Sequence, residues 1–214
     1  VNPVEQACVA QVEQLVVGQM GLQQAGHGVD HVQRVVRLAQ QLHRQVGGNR
    51  FIIELAAWLH DIGDAKFCQG IERSAERSHD ILTQLAVAPA VIEQVVAIVD
   101  RISFRKAIDP SLLTLEGKIV QDADRLDALG AIGIVRTIEY GTACGQPFYL
   151  PDEDPIESKS GIGHFYQKLF KLRDLLNTEP AKQLALEREQ FMRQFVEQFL
   201  DEYQTTQVPQ AARS

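Results

Sequence analysis

An all-α fold is predicted for this chain on three observations. Apolar residues recur at three- and four-residue spacings from Asp30 onward, no segment alternates apolar and polar residues as a half-buried strand does, and residues that start or stop helices fall at the ends of the periodic runs. A length of 214 residues, 45% of them hydrophobic, supplies one substantial core and is short for two. One domain is therefore expected over residues 1–204, with its core at about 27–140, C-terminal helices at about 162–203 and a disordered tail at 205–214.

The elements follow in order. From Asp30 to Gln45, Val32, Val35, Val36, Ala39 and Leu42 keep helical spacing, and Gly47-Gly48 stops the run. Asn49 can cap the next helix, whose residues Phe51 to Leu59 are apolar nearly all round, as in a helix at the centre of a domain. Ser74 to Leu85 and Pro89 to Ile102 come next, the second with proline in its first turn. Ser111 to Asp127 and Ala131 to Glu139 follow. Residues Gly141 to Gly163 are rich in glycine, proline and acids and lack periodicity, which predicts a long loop able to cover a site. Ile162 to Leu176 and Pro180 to Tyr203 are the last two predicted helices.

Composition narrows the function. With 21 basic and 28 acidic residues, the formal charge of -7 repels a phosphate backbone, so nucleic acid is not expected as a partner, whereas a small phosphorylated molecule can still meet a local group of Lys and Arg. No run approaches the roughly 20 apolar residues of a membrane span, and no leader pattern stands at the N-terminus. The expectation is a cytoplasmic protein without a membrane partner; composition assigns no oligomeric state. Cys8, Cys68 and Cys144 lack the paired spacing of a zinc site or disulfide framework and are expected as free thiols.

Chemistry enters with "AAWLHDIGDAKF", where an apolar helix ends in adjacent His60 and Asp61. His31 lies four, seven and eleven residues before Val35, Leu38 and Leu42, so it points inward. Asp124, four after Val120 and seven before Ala131, is aimed at the same interior. Each has an ordinary explanation: a core histidine bonded to a carbonyl, a histidine at a helix C-terminus, and an ion pair among Asp122, Asp124, Arg125 and Asp127. A buried carboxylate without a partner costs roughly 3 kcal/mol or more. For two imidazoles and two carboxylates converging together, one divalent cation is the most economical partner.

The order His, His-Asp, Asp resembles the HD superfamily of metal-dependent phosphohydrolases. "HGVDHVQRV", "LHDIGDAKF", "RISFRK", "VQDADRLDALGAIGIVRT", "HFYQKLFKLRDLLNT" and "EREQFMRQF" resemble successive signatures of its single-domain bacterial YpgQ/YedJ-like branch, over about residues 27 to 203. The resemblance implies an all-helical HD fold with a metal site in the helical core and puts His31, His60, Asp61 and Asp124 at the ligand positions. Two-metal relatives add two histidines between the doublet and the last Asp; only His79 lies there, which implies one ion, and an N/O ligand set accommodates manganese, nickel, cobalt, iron or magnesium.

A nucleotide substrate is implied, with nucleoside triphosphate pyrophosphohydrolase activity the nearest analogy. The alternatives are a 5'-nucleotidase or other phosphoesterase, and an idle HD domain that only binds metal or nucleotide. Asp64, four residues after His60 where related enzymes carry an acid beside the reacting water, is expected as general acid/base, and as a solvated loop acid otherwise. Lys66 beside it, and Arg101, Arg105 and Lys106, suit polyphosphate by charge. His27, Asp30 and Asp127 are candidates for orienting the ligands. His164 and Lys168, one turn apart after the long loop, either close over substrate or simply pack and solvate.

Overall fold

The computed structural model describes residues 2–20, 28–63, 71–102 and 109–205. Among them lie nine α-helices and no strand: α1 (Pro3–Met20), α2 (Val29–Val46), α3 (Arg50–Leu59), α4 (Ser74–Gln84), α5 (Pro89–Arg101), α6 (Leu115–Asp127), α7 (Gly130–Ala143), α8 (Gly161–Gln167) and α9 (Glu179–Thr205). The all-α expectation holds. The tail after Thr205 lies outside the described residues, as does Cys68; Cys8 and Cys144 are free thiols.

α3 is the centre of the packing. Every residue from Phe51 to Leu59 is buried, and the helix packs against α1, α2, α5 and α6. Asn49 caps it as expected, its side chain accepting from the Phe51 amide at 3.0 Å and the Ile52 amide at 3.4 Å. The one buried charge on this helix, Glu54, is bonded to Gln40 at 2.7 Å and Arg50 at 2.8 Å, so its burial leaves no orphan carboxylate. α2 ends at Gly47, whose φ of +89° favours glycine, with its amide bonded to the His43 carbonyl. Pro89 stands in the first turn of α5.

Four expectations are corrected. α1 precedes the first predicted helix; it buries Val12, Val16 and Met20 at four-residue spacing, but Val4, Leu15 and Val17 face solvent and blur the stripe. The predicted helix Ser111–Asp127 is split into a 3₁₀ turn at Pro110–Leu112 and α6, because Thr114 takes an extended conformation and caps α6 through the Gly117 amide. α7 is longer than expected and shortens the long loop, whose Phe148 packs on Phe165, Phe195 and Phe199 of α8 and α9. The predicted helix Ile162–Leu176 stops at Gln167 and continues as 3₁₀ turns at Leu169–Lys171 and Arg173–Leu175. Its apolar stripe, including Phe165, Leu169, Leu172 and Leu176, is nonetheless buried, since three residues per turn and 3.6 keep nearly the same side chains inward over so short a run.

α6 is tied to the start of α9 by Asp122. Its buried carboxylate accepts from the Asn177 amide and side chain, each at 2.8 Å, and from the Thr178 amide and hydroxyl at 2.8 and 2.7 Å. Asp122→Ala orphans the Asn177 and Thr178 amides and the Thr178 hydroxyl, leaving the Asn177 side chain its bond to Gln121 at 3.0 Å, and a loss of about 3 kcal/mol is expected. The check is the denaturant midpoint at unchanged m, with wild type and variant both stripped of metal so that bound ions do not add to apparent stability.

Candidate metal centre

Four side chains meet where α2, the end of α3 and α6 come together. His31 enters from the first turns of α2 on the Val35, Leu38 and Leu42 face; His60 and Asp61 stand where α3 gives way to a turn; Asp124 sits in the last turn of α6. The Nε2 atoms of His31 and His60 are 3.3 Å apart. Asp61 Oδ2 lies 3.5 Å from His31 Nε2 and 3.6 Å from His60 Nε2, and Asp124 Oδ1 lies 3.4 and 3.9 Å from the same two atoms. The imidazoles are 1% and 2% exposed, Asp61 17% and Asp124 32%, so the carboxylates mark the side open to solvent. Val120 is buried one turn before Asp124, as its spacing requires, but Ala131 is exposed on another helix and gave no guide to the direction of Asp124. Ala128 and Leu129 separate the two helices, and α7 begins at Gly130 with a φ of +76°.

The donor set fits a divalent cation. His60 Nδ1 bonds the Ala57 carbonyl at 2.8 Å; a carbonyl only accepts, so the proton is on Nδ1 and a neutral His60 turns the Nε2 lone pair inward. His31 Nδ1 bonds Asp127 Oδ2 at 2.7 Å, which likewise leaves Nε2 to the interior. One proton on His31 Nε2 cannot serve three acceptors at 3.3 to 3.5 Å, whereas a cation among them can. Asp127 is paired with Arg34 and Arg136, so Asp61 and Asp124 are the carboxylates of the group left to face a cation.

Electrostatics agree. Burial, the largest influence on His31, favours the neutral ring, but its bonds to Asp124, Asp127 and Asp61 together raise its pKa to about 10. For Asp124 burial acts upward, and the His31 bond leads the influences that bring its pKa down to about 2. Asp127 is held well below the usual carboxylate range: burial opposes this, while His31 and Arg34 prevail. A cation held by these donors would take the place of a proton at His31 Nε2.

The other sequence candidates divide. Asp127, expected only as an orienting group, makes direct bonds to His31, Arg34 and Arg136. Asp30 is exposed in the first turn of α2, where its charge acts on Arg34. Arg101 donates to the Leu112 carbonyl at 3.4 Å at the end of α5. His164 and Lys168 are half-buried one turn apart at α8. His79 is 61% exposed beside Asp80 on α4 and stands outside the cluster. His27, Asp64, Lys66, Arg105 and Lys106 lie outside the described residues. Arg34 and Arg136 were missed by sequence reasoning; Arg34, one turn after Asp30 on α2, and Arg136 on α7 carry no local mark that distinguishes them from surface arginines.

Comparison with known proteins joins this geometry to a family. The HD domain family model matches residues 28–129, the span that contains all four converging side chains. The chain belongs to the HD superfamily and is a metal-dependent phosphohydrolase. Within that superfamily it falls in the YpgQ-like branch: it is 39% identical over 178 residues to YpgQ of Bacillus subtilis, covering 81% of this chain and 83% of that protein. An HD-superfamily hydrolase from Bacillus thuringiensis superposes with a TM-score of 0.76 at 40% identity, covering 94% of this chain and 98% of the other. The structure of B. subtilis YpgQ in complex with ADP superposes with a TM-score of 0.79 at 32% identity, covering 97% and 98%.

Proposed function

We propose that this protein is a nucleoside triphosphate pyrophosphohydrolase that holds one divalent cation through His31, His60, Asp61 and Asp124. The observation that carries the reading is the approach of the two Nε2 atoms to 3.3 Å and of each carboxylate to both of them at 3.4 to 3.9 Å, with the carboxylate side open to solvent. The ADP bound by B. subtilis YpgQ supports a nucleotide as the substrate class here. A divalent cation at such a site supplies charge neutralisation for a phosphoryl group and makes water more acidic.

The remaining work falls to the protein's own groups. Asp64 takes a proton from the attacking water, whose oxygen bonds to the α-phosphorus as the bridging P–O bond breaks. The bonding electrons leave with pyrophosphate, whose charge is met by Lys66, Arg101, Arg105 and Lys106. Several basic residues exceed what a single phosphate needs, which favours a triphosphate over a monophosphate. Incubation with manganese and a deoxynucleoside triphosphate, followed by ion-exchange chromatography, is expected to yield the monophosphate and pyrophosphate. Release of nucleoside and orthophosphate from monophosphates alone would instead establish a 5'-nucleotidase.

A further inference from the structure

The two imidazoles are oriented in different ways. His60 bonds a carbonyl three residues earlier in its own helix, so its orientation comes with the end of α3. His31 depends on a residue 96 positions away. Asp127, the last residue of α6, receives His31 Nδ1 on Oδ2 at 2.7 Å, and the same oxygen accepts from Arg34 at 3.0 Å and Arg136 at 2.7 Å. The other oxygen accepts from Arg34 Nε at 2.7 Å. Arg34 approaches from α2 and Arg136 from α7, so the carboxylate is gripped from two helices and is itself only 2% exposed.

We propose that Asp127, clamped by Arg34 and Arg136, is a positioning residue that fixes the ring of His31 with Nδ1 protonated and Nε2 turned to the cluster, and thereby sets the affinity for the cation. Three features of the geometry support it. An anionic acceptor makes the ring a stronger donor at Nε2 than a carbonyl does. The fork of Arg34 fixes the carboxylate plane, which fixes the line along which Nδ1 must point. Two cations on one carboxylate also keep Asp127 ionised and occupied, so it does not swing inward to compete with Asp61 and Asp124. The alternative is an ion-pair network that only joins α2, α6 and α7; it predicts a loss of stability without a change at the cluster.

This inference rests on the reading of His31 as a metal ligand, so three variants are compared: His31→Ala, Asp127→Ala and Asp127→Asn. Manganese affinity is measured by isothermal titration, and the histidine ring nitrogens of the zinc-loaded protein are followed by NMR, His31 being assigned through its variant. Asp127→Ala is expected to weaken manganese binding by about 10- to 100-fold, the usual effect of losing an outer partner, and to abolish the hydrogen-bonded Nδ1 proton signal of His31. Asp127→Asn keeps shape and one acceptor but loses the charge; it should fall between, and it carries the test if the alanine variant fails to fold. Wild-type affinity and an intact Nδ1 signal in a folded Asp127 variant, beside lost affinity in His31→Ala, overturn the positioning role and leave the ligand reading standing. Wild-type affinity in His31→Ala overturns both.

Discussion

Replacing His60 by alanine is expected to strip the protein of its divalent metal, and Asp124→Ala to do the same from the opposite edge of the cluster. Purified wild-type protein should carry about one ion per chain by elemental analysis, because His31, His60 and Asp124 offer donor atoms within 4.8 Å of one another and His79, the one histidine between the doublet and Asp124, faces solvent on α4. Affinity should fall by more than the roughly 100-fold ascribed to an outer partner, since each change removes a donor atom itself. The pair of variants separates chemistry from folding. His60 is buried and its loss opens a hole at the end of α3, whereas Asp124 is about one-third exposed and fills little of the core. A shared loss of metal with helicity retained in Asp124→Ala therefore reports on ligation. Full occupancy in both variants would remove these residues from the metal centre.

The parts of this fold legible in the sequence are those fixed by local rules. The inward stripe of α2, the all-apolar α3, the cap at Asn49 and the stop at Gly47 each follow from spacing or backbone preference within a few residues. What was not legible depends on pairing across the chain. "DADRLD" holds three aspartates with three different surroundings: Asp122 receives the amides before α9, Asp124 joins the two histidines, and Asp127 is gripped by His31, Arg34 and Arg136. Spacing alone gives them neighbouring directions on one helix; only the helices packed against α6 decide which carboxylate meets a cation and which meets amide groups. α1 was unreadable for another reason, since a helix with apolar residues on several faces has no stripe to detect, and its burial is set by α3.

Asp64→Asn is expected to leave metal and fold intact and to lower turnover by about 10²- to 10⁴-fold, the range for a positioned general acid or base. Asp64 lies outside the described residues, but the chain immediately before it does not. The Gly63 amide bonds the Ser74 hydroxyl at 3.2 Å, and its carbonyl accepts from the Arg73 amide at 2.9 Å. A Cβ on Gly63 would stand 2.6 Å from the Arg73 carbonyl carbon, so only glycine lets the backbone approach the start of α4 this closely. The chain that leads into position 64 is therefore pinned at Gly63, two residues after Asp61. Asparagine keeps the shape of the Asp64 side chain and cannot accept the proton of an attacking water. The variant should hold the wild-type amount of manganese, keep a similar KM and lose kcat, and its residual rate should lack the acidic limb that a titrating base gives the wild-type pH profile. A kcat within about threefold of wild type, well short of the range for general acid/base catalysis, would make Asp64 an ordinary solvated acid and require the proton acceptor to be sought among the other groups at the mouth.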